Sequence, residues 1–205
     1  MRRAVPRRTV LAGAGLAVAV AGCLYAAAGP THGDGGGAPP GPDGAAVRPM
    51  SEAVVVETGA RPHAPVLAGA DLDGKPLGLT EFRGQVVVLN VWGSWCGPCR
   101  AEADDLERLS GQTRAQGVRF LGINTRDPDR AAAQSFVRAH GLGFPSLHDP
   151  TGKLLLRFPP ALLNPQTIPS TLVIDRRGRI AVSIGGAVTE EELRPLLLRV
   201  AEEAA

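Results

Sequence analysis

From Glu57 onward, segments with strand and helix periods alternate along the chain. Residues 85–92 (QVVVLNVW) and 118–124 (VRFLGIN) are short, mostly apolar runs rich in β-branched residues, as expected of strands buried on both faces. Residues 98–116 place Leu106 and Leu109 on one side of a helix. Residues 129–140 form a second helix, ended by Gly141 as a C-cap. Residues 65–68 and 75–79 flank Asp73-Gly74, a hairpin signal. Residues 144–148 read as a short extended piece and 151–158 as a short helix. Residues 170–175 (STLVID) and 179–184 (RIAVSI) straddle Arg176-Arg177-Gly178 as a second hairpin. The last helix opens at Thr189 with Glu192 at capping-box spacing, and Pro195 inside it predicts a kink or a later start. This order predicts an α/β domain: a mixed central sheet flanked by helices on both faces, with an N-terminal β-hairpin extension.

The first quarter follows different rules. Arg2, Arg3, Arg7 and Arg8 precede an uncharged Ala/Gly/Val/Leu-rich run, so residues 1–29 read as an export signal or membrane anchor. Arg7-Arg8-Thr9-Val10-Leu11 also resembles a twin-arginine signal, with an ordinary Sec signal as the alternative. Val20-Ala21-Gly22-Cys23 resembles the lipobox of bacterial lipoproteins, which makes Cys23 the candidate lipidation site. An uncleaved spanning helix and a free secreted protein are the alternatives. Each places the remainder outside the cytoplasmic membrane, and either anchor would hold it on the extracytoplasmic face of a bacterial membrane. Residues 30–56 begin with a Gly/Pro-rich stretch that cannot bury enough surface to offset chain entropy, and they read as a flexible tether. The folded domain is then expected over residues 57–205, a length that suits one core. A net charge of +2, with arginines dispersed, gives no case for nucleic acid.

Cys96 and Cys99 lie in NVWGSWCGPCRAE, residues 90–102. A structural zinc site needs four ligands, commonly from two pairs, and no second pair is present. His63, His140 and His148 stand singly. A structural staple across so short a loop would stabilise weakly. A bond meant to be made and broken uses every neighbour. Cys96 falls where a strand gives way to a helix, whose unpaired N–H groups and dipole favour a thiolate and lower the thiol pKa from about 8.5. Pro98 occupies the first turn at no cost in hydrogen bonds. Cys99, one turn in, faces the interior. Cys96 is therefore the expected nucleophile and Cys99 the resolving thiol, with no metal and no cofactor beyond this pair. Trp95 is expected to cover the disulfide, and Trp92 to lie in the core.

W-C-G-P-C after a strand resembles the thioredoxin signature, and the chain from about Ala64 to Ala201 resembles the ResA/TlpA-like branch of that family. The resemblance rests on APVL…DLDGKPLGLTEFRGQVVVLNVWGSWCGPCRAE, GINTRD…FVRAHGLGFPSLHD and TIPSTLVIDRRGRI. It implies a thioredoxin-like fold and a membrane-anchored thiol–disulfide oxidoreductase. Pro169 then stands where the family holds a cis-proline, which turns the Ile168 backbone toward a substrate strand. Trp95, Gly97, Pro98 and Ile168 form the implied substrate-binding rim. Glu102, three residues after Cys99, stands where the branch carries its acid, while Asn90 replaces the aspartate of thioredoxins proper. Glu102 is expected to be partly buried, with a raised pKa, as proton acceptor for Cys99.

Two departures from the family pattern stand out. Asp104 replaces a helix-kinking proline, and residues 157–166 (RFPPALLNPQ) lengthen the connection before Pro169, beside the expected active site. The implied partners are protein disulfides such as those of apocytochrome c and a membrane thiol-reducing relay, with the protein a monomer. Rival readings are a disulfide oxidase, a peroxidase using Ser94 beside a single cysteine, and a thiol- or copper-binding chaperone.

Overall fold

The computed structural model describes residues 52–203; Cys23, the export segment and most of the tether lie outside them. The central sheet has six strands: β1 Glu52–Val55, β4 Val86–Trp92, β5 Val118–Thr125, β6 Ser146–Asp149, β7 Ser170–Ile174 and β8 Ile180–Gly185. Their order is β1-β8-β7-β4-β5-β6. β4, β5 and β6 run parallel, whereas β7, β8 and β1 pair antiparallel, so the sheet is mixed as the alternation predicts. A separate hairpin joins β2 Ala68–Ala70 to β3 Pro76–Gly78. Its turn is built by Asp71, whose Oδ1 accepts the Asp73 and Lys75 amides, and by Gly74 at φ +84°.

The helices are α1 Gly97–Thr113, α2 Arg130–His140 and α3 Glu190–Ala201. α1 gives way to a 3-10 turn over Arg114–Gln116, so the expected helix is shorter at its C-terminal end. α2 is capped by the Asp129 side chain at its start and by left-handed Gly141 at its end. α3 begins at the predicted Thr189–Glu192 capping box, so Pro195 does not delay its start. The expected helix over residues 151–158 contracts to a 3-10 turn at Leu155–Arg157.

The two sheet faces are covered unequally. One face carries Leu106 and Leu109 of α1 with Leu193, Leu197 and Val200 of α3 against Val86, Val88, Phe120 and Val182. The other is closed by the hairpin (Leu77) and by Leu154, Leu155, Phe158 and Leu163, packed on Leu89, Leu121, Ile123 and Leu172. Helical cover there comes from short 3-10 turns, with Leu79, Phe82 and Leu155 as their apolar contacts.

The tether ends earlier than expected. Residues 52–55 are strand β1, which pairs with β8 from Glu52↔Gly185 to Val55↔Val182. The folded part thus begins before Glu57, because EAVVV finds an open sheet edge far away in sequence. Among the described residues, no helix is long and apolar enough to cross a membrane.

At the end of the sheet remote from Cys96, Arg61 is 3% exposed in its side chain and bridges Asp175 (3.2 Å) and Glu203. Arg179 also meets Asp175, at 2.8 Å. Burial pushes the Asp175 carboxyl up, but the Arg179 backbone and side chain together with Arg61 outweigh it, and the net direction is down from 3.8. The Arg61 hydrogen bond holds Glu203 below its ordinary 4.5. Both groups therefore stabilise the fold fully above those ordinary values, and the contribution is lost as pH falls through the depressed folded values. Arg61→Ala is expected to cost about 3 kcal/mol in urea unfolding at neutral pH, since it leaves buried Asp175 with one cation fewer. The variant should also lose less further stability than the parent below about pH 4.5; an equal acid dependence would show the network carries none of it.

Candidate active site

β4 ends at Trp92, and a turn through Gly93 and Ser94 leads to Cys96, the N-cap residue of α1. The Cys96 amide closes this turn on the Gly93 carbonyl (3.1 Å). As N-cap, Cys96 turns its Sγ back over the helix start, where it accepts the Cys99 N–H at 3.1 Å. This is an orphan donor that every helix start presents. Cys96 and Cys99 are joined as a disulfide with Cα atoms 5.3 Å apart.

The expected contrast in exposure between the two cysteines does not appear. Cys96 is 3% and Cys99 2% exposed, because the cap geometry folds the first sulfur inward and Ile168 packs against the same cluster. What distinguishes them is position: Cys96 Sγ lies 3.8 Å from the Ile168 carbonyl oxygen, at the rim formed by exposed Gly97 and Pro98.

The Ile168–Pro169 peptide is cis, as the resemblance implies. Its place follows from sheet register: Val91 pairs with Ser170, so the residues before β7 arrive just past the end of β4, beside Cys96. The Pro169 carbonyl accepts the Gly186 amide (2.9 Å) and ties this loop to the end of β8.

Trp92 lies in the core as expected, 2% exposed. Its indole donates to Ser146 Oγ (3.2 Å) and stacks on Phe136 with centroids 4.7 Å apart. Gly122 makes the room, since a Cβ there would fall 2.8 Å from the indole nitrogen and 2.1 Å from Ser146 Oγ. Trp95 behaves otherwise. It is 49% exposed, and its indole lies over Gly93 and donates to the Thr125 carbonyl (3.3 Å). It therefore braces the turn that leads to Cys96.

Glu102 is 1% exposed, so its burial is complete and not partial. Asn90 Nδ2 donates to its Oε1 (2.9 Å) and the Val188 amide to its Oε2 (3.0 Å). Asn90 also donates to Thr171 Oγ1 (3.1 Å), giving a buried polar chain from β7 through β4 to α1. Asp104 does not break α1; its Oδ1 meets His140 Nδ1 of α2 at 3.0 Å, and Asp105 Oδ2 accepts the Glu190 amide at the start of α3 (3.1 Å). Both neighbouring helices are thus fixed to α1 without the proline of the family pattern.

Residues 157–166 do reach the site. Phe158 and Leu163 anchor them in the core, Ser183 donates to the Leu162 carbonyl, and Arg126 donates to the Pro165 carbonyl (2.7 Å). Between this segment and the sheet edge runs a groove of about 330 Å³, lined by Val54, Pro160, Leu162, Asn164, Thr167 and Ser170.

One residue of the site escaped the sequence reading. Asp127, 2% exposed, accepts the Ser94 amide (2.9 Å), the Ser94 hydroxyl (2.6 Å) and Asn124 Nδ2 (2.6 Å). The available signal was the polar run Asn124-Thr125-Arg126-Asp127 closing a buried strand at the same sheet end as the cysteines. His148 also finds its place here, with Nε2 3.1 Å from the Asp127 carbonyl; no cluster of metal-binding side chains forms among the described residues.

Comparison with known proteins agrees with this geometry. A sequence model of the AhpC/TSA family matches residues 61–183. The thiol-disulfide oxidoreductase ResA of Bacillus thuringiensis subsp. konkukian is 31% identical over 138 residues, which span 67% of this chain and 76% of that protein. A secreted thiol-disulfide isomerase from Corynebacterium glutamicum superposes with a TM-score of 0.65 at 34% identity, covering 80% of this chain and 96% of that one. A DsbF homologue from Corynebacterium diphtheriae gives 0.64 at 31% identity, over 72% and 92%.

Gly93→Ala tests the bracing of the turn. The added Cβ would fall 2.5 Å from Trp95 Nε1 and must displace the ring. Trp95 should lose its Thr125 bond and its fluorescence should shift to the red, with the fold retained; an unchanged spectrum would rule out this packing.

Proposed function

The chain belongs to the AhpC/TSA family and is a thiol–disulfide oxidoreductase of thioredoxin-like fold; from that premise we propose that it reduces protein disulfides outside the cytoplasmic membrane. The observation that carries this reading is the Cys96–Cys99 disulfide at a helix N-cap, 3.8 Å from the carbonyl that precedes cis-Pro169. The secreted Corynebacterium relative and the ResA relatives support the extracytoplasmic setting.

In the reduced protein the Cys96 thiolate attacks one sulfur of a partner disulfide. A mixed disulfide forms, and the partner's other sulfur leaves as a thiolate that takes up a proton. The Cys99 thiol then gives its proton to Glu102 and attacks Cys96 Sγ. This closes the Cys96–Cys99 disulfide and releases the partner's second sulfur as a thiolate, which takes up a proton as Glu102 gives its own back to solvent. The partner gains two electrons and two protons, and a membrane thiol relay must restore the pair. The extended strand of the partner is received by Ile168, Gly97 and Pro98, and the groove from Thr167 and Ser170 toward Pro160 and Val54 accepts its uncharged flank. A CxxCH segment of apocytochrome c, kept reduced for haem attachment, has this chemistry. Ser94, the residue a peroxidase reading would require, has its hydroxyl committed to Asp127. Membrane attachment through Cys23 or an uncleaved N-terminal helix completes the proposal.

Direction is tested by the reduction potential of the full chain, equilibrated in graded thiol buffers. A value at or below about −250 mV is expected; a value of about −120 to −180 mV would make the protein an oxidant or isomerase, as the name of the Corynebacterium glutamicum relative suggests.

The role of Glu102 is tested with Glu102→Gln. The amide keeps the shape but sets an NH2 against either Asn90 or Val188 and cannot take the Cys99 proton. Resolution of a preformed mixed disulfide should slow by about 10²-fold. Unaltered resolution kinetics would remove Glu102 from the mechanism.

A further inference from the structure

The turn that delivers Cys96 to the helix start lies beyond the last ladder bond of β4, so the sheet itself does not hold it. Besides the Cys96–Gly93 bond within the turn, four hydrogen bonds to its surroundings do. The Ser94 amide and hydroxyl both donate to Asp127, the Trp95 indole donates to the Thr125 carbonyl, and Arg100 Nη2 donates to the Ser94 carbonyl (2.7 Å). Three of the four end on residues 125–127, directly after β5.

That segment departs from ordinary backbone and burial rules in several ways. Arg126 adopts φ +60°, a left-handed conformation uncommon for a long side chain. Asn124 Oδ1 and Thr125 Oγ1 are buried with no hydrogen-bond partner. Asp127 buries a carboxylate held only by donors from Ser94 and Asn124, at a desolvation cost that an amide or hydroxyl at this position would largely avoid. Such departures persist where surrounding structure enforces them, and they gather at functional sites. The parallel register explains the meeting: Trp92 pairs with Asn124, so Ser94 and Asp127 both lie just past the end of their paired strands.

We propose that Asp127 is a positioning residue for the thiol–disulfide reaction, clamping the Ser94 turn so that Cys96 Sγ stays within reach of the Cys99 N–H. With the clamp in place the thiolate forms already hydrogen-bonded at the helix start. Without it the turn relaxes, and the thiolate loses the donor that stabilises it. The proposal rests on Cys96 as the attacking thiol, but its test needs no partner protein, so it stands or falls apart from the redox direction argued above.

The experiment is iodoacetamide alkylation of Cys96 against pH in the reduced full chain carrying Cys99→Ala, compared across Asp127→Ala, Asp127→Asn and Ser94→Ala. Asp127→Ala should raise the Cys96 thiol pKa by about one unit, a tenfold loss of thiolate at neutral pH. Asp127→Asn keeps an acceptor for the Ser94 amide and should stay within about twofold of the parent. Ser94→Ala removes one bond only and should give a smaller rise in the same direction. An unchanged thiol pKa in folded Asp127→Ala would reduce Asp127 to a structural residue and overturn the proposal. A fall in pKa shared by Asp127→Ala and Asp127→Asn would also overturn it, because the carboxylate would then act through its charge. If Asp127→Ala does not fold, Ser94→Ala decides, and an unaltered pKa there overturns the proposal.

Discussion

The arrangement depends on one hydrogen bond that a helix cannot make for itself. The first amides of α1 have no acceptor within the helix, and Cys96 Sγ fills that role for Cys99. On the proposed reading this acceptor is also the sulfur that becomes a thiolate, so cap and nucleophile are one group. The sheet then determines what surrounds it. β4 runs parallel to β5 and antiparallel to β7, so the end of β5, the end of β4 and the start of β7 meet at one edge. The Val91↔Ser170 pairing brings cis-Pro169 to the disulfide, and the Trp92↔Asn124 pairing brings Asp127 to Ser94. Neither neighbour is close to Cys96 in sequence; both are one or two residues past a paired strand end.

The same registers carry the polar path behind the resolving cysteine. Asn90 sits opposite Thr171 in the ladder, and its amide reaches both the Thr171 hydroxyl and Glu102. An aspartate at residue 90 would place a second carboxylate against Glu102 in the interior, and two like charges so close could not both ionise. The asparagine instead donates. Asn90 and Glu102 thus complement each other as donor and acceptor in one buried contact.

The parts of the fold legible in the sequence were those with local causes. The W-C-G-P-C turn, the Thr189–Glu192 box, the Gly141 cap and the β-branched strands each follow from neighbours within a few residues. What stayed hidden is non-local. EAVVV has no turn signal to separate it from the tether, and becomes a strand because β8 offers a free edge. The bracing role of Trp95 had no local signal either: the absent side chain of Gly93 makes room for the ring to pack over the turn. Asp127 drew no reading at all, since nothing near it in sequence says that Ser94, 33 residues earlier, will lie against it. Glu102 could be placed only through the family resemblance; helical spacing put it beside Cys99 but said nothing of Asn90 or Val188.

Charge is handled differently at the two ends of the sheet. At the end remote from the cysteines, Asp175 and Glu203 meet the guanidinium groups of Arg61 and Arg179, and the pairing lowers both carboxyls and stabilises the fold. At the catalytic end, Asp127 accepts two bonds from Ser94 and one from Asn124, and Glu102 accepts bonds from Asn90 and Val188, all of them from neutral donors. Neutral donors orient a carboxylate without the strong counter-charge a guanidinium would bring. A cation in the place of the Asn90 amide would hold Glu102 ionised so firmly that it could hardly accept the proton of Cys99. At Asp127, a guanidinium would lie beside the turn that carries the nucleophile and would stabilise the Cys96 thiolate further, making the pair a weaker reductant. On the proposed reading, in which the site releases electrons and passes a proton, amides and hydroxyls serve it better, even though each buried carboxylate then contributes less to stability than one in an ion pair with several hydrogen bonds.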